Sequence, residues 1–277
     1  MVSASYVIKF KSSGISIVNI RELIDKIMEE EGEATSHKPA DVKTWTLHVS
    51  KAFADLFNPP TGVPPESKHD LRMDTDPTAK PPHRQPYRMS DSEHFEFETR
   101  IAKLLANGWV TDSHSRFAAP VIFVYKLDGS ALRMCVDSRG LNAVTTRDRY
   151  PLPYIEDLID RLHGSRVFPK LNLASGYHQV HVHPDDRHKT AFLSPDGIYE
   201  WTVIPSGLAN APSAFMCAMH PFLGPYKKVP IVHLAEVPIV ARSLAKHMMH
   251  VNTILLVFTM SHLSLNERKC VFGATKT

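Results

Sequence analysis

The sequence predicts an α+β fold, and three observations support that prediction. Strand patterns and helix patterns mix along the chain without the regular βαβ alternation of a parallel α/β sheet. No internal repeat is present. The 277 residues, 43% of them hydrophobic, are enough to fill one large domain or two smaller ones.

The first 45 residues form a predicted N-terminal extension. Two apolar strands, 5–10 and 15–18, could pair across a Ser-Ser-Gly turn. Apolar residues within 20–28 then recur at helical spacing, which fits a helix on the domain surface and, as an alternative, an oligomerising helix. Residues 46–86 form a Pro-rich lead-in, because eight prolines after Asn58 hold the chain extended and remove ladder donors. We expect it to be a linker.

The next helix has clear start and stop signals. Ser90 and Glu93 make a capping box, and Asn107-Gly108 supplies the end. The predicted inward face consists of Phe97, Ile101, Leu104 and Leu105. Beyond it, the strand patterns 119–125 and 132–136 flank Asp128-Gly129, which predicts a β-hairpin.

Two more helices follow in the second half of the chain. Pro153 opens one that ends at Gly164. The other begins near Asn210, with Pro212 in its first turn and with Phe215 and Met219 predicted to point inward.

Composition sets wide limits on function. A formal charge of +3 and a pI near 8.7 permit an anionic partner without demanding one. The three cysteines are far apart and form no Cys-x-x-Cys pair, so we expect buried thiols in a reducing compartment. The apolar stretch 229–241 is interrupted and too short to cross a bilayer, and no secretion signal is present. We expect an intracellular protein, cytoplasmic or nuclear, with no membrane partner.

Several blocks of sequence stand in a fixed order from about Phe53 to Gly273. They are Arg133 to Asn142, Arg149-Tyr150-Pro151-Leu152-Pro153, Leu171-Asn172-Leu173-Ala174-Ser175-Gly176-Tyr177-His178-Gln179, Lys189-Thr190-Ala191-Phe192 and Ile204 to Phe215. Their order and spacing resemble the reverse transcriptase of gypsy-type (Metaviridae) LTR retrotransposon Pol polyproteins, in a degenerate and truncated copy.

The resemblance implies a right-hand polymerase fold with fingers and a ferredoxin-like palm. The fingers would comprise residues 84–147 and 180–210, and the palm residues 148–179 and 211–277. The family continues into a thumb and an RNase H domain, so we expect the thumb to be absent. The implied activity is RNA-directed DNA polymerisation, a nucleotidyl transfer with Mg²⁺ as cofactor. The implied partners are an RNA or DNA primer–template and a dNTP, and the oligomeric state stays open.

The family's three metal-binding aspartates fall on Asn172, Ala235 and Glu236. A register slip of one residue around Ala235-Glu236-Val237 would still leave at most one carboxylate. Mg²⁺ prefers anionic oxygen ligands, whereas an asparagine amide is neutral. Asn172 and Glu236 would therefore bind the metal weakly if at all. Pro230 and Pro238 bracket the second motif and remove ladder donors, which predicts a distorted hairpin.

Several nucleotide-binding positions match the family. Lys126 and Arg133 would hold the triphosphate of the incoming nucleotide, and Tyr177 would exclude a ribose 2′-hydroxyl. Leu173 follows the first metal position. Gly207 would let the backbone approach the nucleotide, although Ser206 replaces a larger family residue and weakens the case for template contact.

Other polar residues have simpler interpretations. Asp185-Asp186 matches exposed acidic positions and is predicted to be a solvated turn rather than a metal site. A zinc site on the sixteen histidines is disfavoured, because His178, His181, His183, His247 and His250 have no cysteine or acidic partner at suitable spacing.

The sequence thus predicts a reverse transcriptase domain fragment that is catalytically impaired. One alternative is a non-catalytic nucleic-acid-binding or interaction module, suggested by the retained Lys126, Arg133 and Tyr177. A second alternative is a non-functional relic.

Overall fold

The computed structural model describes residues 42–125, 132–151, 170–226, 236–239 and 244–272. The helices of these ranges are α1 (Val42–Ala52), α2 (Asp91–Ala106), α3 (Arg139–Val144), α4 (Ala211–Leu223) and α5 (Leu244–Met260). The strands are β1 (Val110–Asp112), β2 (Val121–Tyr125), β3 (Leu132–Val136), β4 (Lys170–Asn172), β5 (Phe192–Leu193), β6 (Ile198–Trp201) and β7 (Glu236–Pro238). Short 3₁₀ turns cover Ala54–Phe57, Gly176–Gln179, Pro184–Thr190, Gly224–Tyr226 and Glu267–Lys269.

All strand pairs among these elements are antiparallel. One sheet has the order β1-β6-β5, and two ribbons are formed by β2-β3 and β4-β7. Helices and antiparallel strands therefore alternate irregularly, and the predicted α+β class is confirmed. The helices at Ser90 and near Asn210 and the hairpin of β2 and β3 are also confirmed.

The chain divides into two compact units. Unit A comprises Thr61–Leu152 and Ser175–Ala218, and unit B comprises Met1–Pro60, Pro153–Ala174 and Met219–Thr277. The residues predicted as fingers lie entirely in unit A, together with residues 61–86 of the lead-in.

The core of unit A lies between α2 and the strands. Its buried members are Phe97, Ile101, Trp109, Val110, Val121, Phe192, Trp201 and Val203. Helix α2 starts at Ser90 with both halves of the predicted capping box, and Gly108 takes the left-handed φ of +67° just after the helix. The predicted inward position of Leu105 is wrong, because this residue lies at the margin of the apolar stripe and is exposed.

The part of the lead-in from Thr61 onward is bonded into unit A. Leu71 forms a parallel bridge with Val182, donating to the carbonyl of His181 and accepting from His183 at 2.9 Å each. Thr75 forms an antiparallel bridge with Thr145. The prolines limit these contacts to short bridges, yet the residues between them keep their N–H donors. Residues 61–86 are therefore an ordered edge of unit A and not a free linker, and residues 46–52 belong to helix α1 of unit B.

Helix α5 forms the centre of unit B. Val251, Ile254, Leu255 and Phe258 on this helix are fully buried. His247 stacks edge-on against Trp45 of α1, with ring centroids 5.5 Å apart, and its Nε2 donates to the carbonyl of Phe272 at 2.7 Å. Burial lowers the pKa of His247, so this histidine is a neutral core side chain.

Some predicted elements lie outside the described residues. They are the N-terminal hairpin and helix, the loop of the β2-β3 hairpin and the helix that opens at Pro153. Within the described ranges, no helix combines the length and the apolar character that crossing a membrane requires.

Candidate active site

The predicted metal positions lie on the ribbon of β4 and β7 in unit B. Asn172 pairs directly with Glu236, Leu171 with Val237, and Lys170 with Pro238. Leu171 and Val237 are fully buried. Because side chains alternate across a strand, Lys170, Asn172 and Glu236 share the opposite face. The structure thus brings two of the three predicted metal positions together, while Ala235 lies outside the described residues.

The backbone of β4 is also bonded on its other side. Lys170 and Val271 exchange two hydrogen bonds of 2.8 Å, and the Asn172 carbonyl accepts from Asn266 at 2.7 Å. The backbone groups of Lys170 and Asn172 therefore point away from β7. Their pairs with Pro238 and Glu236 are of the non-hydrogen-bonded type, in which Cα atoms lie about 4.5 Å apart and side chains approach closely.

This pattern changes the expected effect of Pro238. Its missing N–H would point away from β4, so the β4-β7 ladder loses no hydrogen bond. The predicted distortion by Pro238 is wrong for this pair of strands. Pro230 lies outside the described residues.

Two neighbours determine the chemistry of this face. The Lys170 ammonium lies 2.7 Å from Oε1 of Glu236 in an ion pair, with both side chains a little under half exposed. The Asn172 N–H donates to Sγ of Cys270 at 3.3 Å, and burial raises the pKa of that thiol. Asn172 itself is 9% exposed. The face therefore holds one carboxylate, one ammonium and one neutral amide.

These residues do not fit a Mg²⁺ ion. Mg²⁺ needs near-octahedral oxygen coordination and favours carboxylates, whereas Asn172 is neutral and Glu236 is already paired with Lys170. No group of three or more histidine, cysteine, aspartate or glutamate side chains with metal-binding geometry occurs in the described part of the chain.

Arg133 lies on the exposed face of the β2-β3 ribbon in unit A. It pairs with Val124, and its neighbour pair on the same face is Ile122 with Cys135. Val124 and Ile122 are exposed, whereas Phe123 on the other face packs against the core. The ribbon therefore presents a guanidinium beside apolar side chains. Lys126 lies outside the described residues.

Gly207 lies in a loop that Asn142 fixes. The Asn142 amide donates to the Gly207 carbonyl at 2.9 Å and accepts from Ala209 N–H at 2.8 Å. Gly207 has a φ of +101°, and an added Cβ would lie 3.7 Å from the carbonyl oxygen of Val136. Glycine is thus required here by the backbone conformation and not by lack of space.

Tyr177 and Leu173 follow β4 in different environments. Tyr177 packs edge-on against Phe215 with ring centroids 5.6 Å apart, and burial raises its pKa. It follows Ser175, which has a left-handed φ of +47°. The Leu173 side chain is buried and its backbone bridges Leu265, so a nucleotide could meet only the backbone at this position.

A polar network around Asp137 is not predicted from the sequence. Its carboxylate is buried and accepts from Arg139 Nε at 2.8 Å and Nη2 at 2.7 Å, with Tyr87 and Arg84 at 3.3 and 3.4 Å. The hydrogen bonds from the Arg139 guanidinium hold the pKa of Asp137 well below its usual range, although burial opposes the shift. The Asp-x-Arg spacing is the one local signal that could have revealed the first pair.

The sequence predicted a solvated turn at Asp185-Asp186, and this prediction is wrong for Asp186. It is buried, accepts from Met73 N–H at 3.0 Å and pairs with Lys189 at 2.6 Å, so it anchors the lead-in. His181 is likewise buried between Asp70 at 3.2 Å and Arg187 at 2.9 Å. The carboxylates of Asp186 and Asp70 therefore both have structural partners in unit A.

His178 and His183 also have protein partners. His178 stacks on Trp201 with ring centroids 5.3 Å apart, its Nδ1 lies 3.0 Å from the Ile204 carbonyl, and burial lowers its pKa. His183 lies 2.7 Å from Arg72.

The sequence of this chain is similar to a known protein family and to transposon polyproteins. The family model described as reverse transcriptase (RNA-dependent DNA polymerase) matches residues 125–277. The Tf2-3 and Tf2-7 transposon polyproteins of Schizosaccharomyces pombe are each 37% identical over 169 residues, which span 61% of this chain and 13% of each relative.

Solved structures agree on the fold. The foamy viral protease-reverse transcriptase in complex with RNA/DNA hybrid aligns with a TM-score of 0.74 and 16% identity, covering 93% of this chain and 33% of that one. A prototype foamy virus protease-reverse transcriptase aligns with a TM-score of 0.72 and 20% identity, covering 89% and 32%. These likenesses show the reverse transcriptase polymerase fold.

The chain belongs to the reverse transcriptase family. It is a reverse transcriptase domain of the kind found in retrotransposon polyproteins, and its similarity to the Tf2 polyproteins agrees with the gypsy-type resemblance of its motifs.

Proposed function

We propose that this domain binds a primer–template through unit A and that its polymerase step is impaired. Its ancestral reaction is RNA-directed DNA synthesis from dNTPs, with Mg²⁺ as the family's cofactor. The compartment would be cytoplasmic or nuclear, in keeping with three free cysteines.

One observation carries the proposed impairment. Asn172 faces Glu236 across the β4-β7 ribbon, where the family resemblance places two of three metal-binding carboxylates. An amide does not offset metal charge or bridge two cations as a carboxylate does. Losing charge stabilisation of roughly 4 to 7 kcal/mol would slow nucleotidyl transfer by about a thousand- to a hundred-thousand-fold.

Unit A supports the binding part of the proposal. Arg133 stands on an exposed ribbon face, and Asn142 fixes the loop of Gly207. A guanidinium can grip phosphate oxygens with two parallel hydrogen bonds. The related foamy viral enzyme has been solved with an RNA/DNA hybrid and with double-stranded DNA, which are the partners we propose for this chain.

Primer extension on an RNA template tests the impairment. The unaltered chain is compared with Asn172→Asp/Ala235→Asp/Glu236→Asp, in Mg²⁺ and in Mn²⁺. We expect extension by the triple variant at a rate at least about a thousand-fold above the unaltered chain. Fluorescence anisotropy with the same primer–template shows that both proteins fold and bind. Extension by the unaltered chain at a comparable rate would contradict the proposed impairment.

A second candidate function is a non-catalytic nucleic-acid-binding module. The network in which Asp137 holds Arg139 and Arg84 favours it, because one buried carboxylate there orients two exposed guanidinium groups without any metal. Such a module would bind primer–template equally well in Mg²⁺ and in EDTA, and the triple variant would gain no activity.

A further inference from the structure

The ion pair between Lys170 and Glu236 lies on the face where the family binds its metals. The ammonium is 2.7 Å from the carboxylate, across the ribbon from strand β4 to strand β7. Lys170 is two residues before Asn172, so both side chains share this face. Glu236 is thus the direct neighbour of Asn172 and the diagonal neighbour of Lys170.

We propose that Lys170 is the resident counter-ion of this centre. Its ammonium neutralises the charge of Glu236 in place of a divalent cation. The centre of this chain therefore does not take up Mg²⁺ or Mn²⁺. The inference concerns the same site as the proposed impairment and rests on it in one respect, the absence of a carboxylate at position 172.

Among the described residues of the β4-β7 ribbon, the charges on this face add to zero. Glu236 contributes one negative charge, Lys170 one positive charge and Asn172 none. A divalent cation entering here would have to displace the ammonium from Glu236 and would then lie beside it. The divalent cation and the adjacent Lys170 ammonium would repel each other, and the single Glu236 carboxylate offers too little attraction to compensate.

The rest of the ribbon is also complete without a metal. The backbone of Asn172 is bonded to Cys270 and Asn266, and Leu171 and Val237 fill the core behind it. Two unpaired carboxylates facing each other would need a cation to offset their repulsion. In this chain the Asn172 amide faces Glu236, whose carboxylate is paired with Lys170, so the pairing of β4 with β7 needs no cation.

Manganese binding measured by electron paramagnetic resonance tests the role of Lys170, because protein-bound Mn²⁺ loses the sharp signal of the free ion. The unaltered chain should leave the free Mn²⁺ signal unchanged up to millimolar metal. Asn172→Asp should bind measurably, since it places a second carboxylate opposite Glu236. Asn172→Asp/Lys170→Gln should bind roughly tenfold more tightly than Asn172→Asp, because the competing ammonium is gone.

Asn172→Asp/Lys51→Gln is the matched control. It removes the same charge from α1 in unit B and should bind Mn²⁺ as Asn172→Asp does. Melting followed by circular dichroism identifies variants that do not fold.

Two results would overturn the proposal. One is Mn²⁺ binding by the unaltered chain with micromolar affinity, which is informative even if every variant unfolds. The other is equal or weaker binding when Lys170 is replaced in the Asn172→Asp background. Since the readout is metal binding in the absence of nucleic acid, failure here is distinct from failure of the proposed primer–template binding.

Discussion

Single residues in this domain show how buried charge is kept in place. Asp137 has a nearly inaccessible carboxylate, yet it stays ionised because Arg139 donates two side-chain hydrogen bonds and its backbone N–H to it. Arg139 is mostly exposed, so solvent screens part of the attraction. The cost of removing the carboxylate would come largely from the donors left without an acceptor.

We expect Asp137→Asn to lower the free energy of unfolding by about 1 to 2 kcal/mol at neutral pH. The folded state lowers the pKa of Asp137, so its stabilisation is complete above the ordinary value of 3.8 and is lost as the pH falls below that value. Urea unfolding at pH 7 and pH 3 measures both effects. The difference in the free energy of unfolding between the variant and the unaltered chain should be smaller at pH 3 than at pH 7.

Asp196→Asn serves as the control for this experiment, because Asp196 is an exposed turn residue of unit A. It should change stability little at either pH. If Asp137→Asn lowers the free energy of unfolding by the same amount at both pH values, the assignment of an ionised carboxylate is contradicted.

At the scale of elements, helix α2 is specified by its own ends. Glu93 N–H donates to Ser90 Oγ, and Ser90 N–H donates to the Glu93 carboxylate at 2.8 Å. Strand β7, by contrast, is specified by its partner. Pro238 is a poor strand residue, but the pairing with β4 places its missing donor where that ladder has no acceptor.

We expect Ser90→Ala to lower the free energy of unfolding by about 1 kcal/mol, because it removes the acceptor for Glu93 N–H at the helix start. Ser90→Thr keeps a hydroxyl that accepts from Glu93 N–H and donates to the Glu93 carboxylate, so it should stay near the stability of the unaltered chain. Denaturant titration compares all three proteins. Equal losses for both variants would show that the cap does not support α2.

At the scale of the whole molecule, the two units contribute different parts of the proposed activity. Unit A carries the exposed ribbon with Arg133 and the loop of Gly207, while unit B carries the ribbon of Asn172 and Glu236. Nucleic-acid binding depends on cations at phosphates and needs no metal. Nucleic-acid binding is therefore expected to persist even with the proposed impairment of the catalytic centre.

We expect the affinity for primer–template to fall steeply with salt. Arg133→Gln should weaken binding and reduce the magnitude of the slope of log K against log [salt] by about 1, because one phosphate contact is lost. Fluorescence anisotropy from 50 to 300 mM salt measures the slope. Lys103→Gln, on the exposed side of α2, should leave it unchanged. An unchanged slope for Arg133→Gln would remove this residue from the binding surface.

Local signals allowed much of the fold and the site to be predicted. The capping box at Ser90, the pairing of β2 with β3 and the inward Phe215 and Met219 depend on neighbours a few residues away. The motifs around Asn172 and Arg133 identified the family for the same reason, since their order along the chain is visible without coordinates.

Contacts between distant residues could not be predicted in this way. The bonding of Leu71 to His181 and His183 and the burial of Asp186 against Met73 join segments about a hundred residues apart. No local pattern records such pairs, because the energy of each depends on which groups folding leaves without water.

The sequence by itself determined the family and the α+β class, because residue identity and short-range spacing decide both, and it led to the prediction that Asn172 and Ala235 stand where the family has metal-binding aspartates. Only the tertiary structure decided that Glu236 is paired with Lys170, that Pro238 lies where its missing donor does no harm to β4, and that the lead-in from Thr61 onward is part of unit A. Each of these depends on strand register and on burial, which are set by the whole chain.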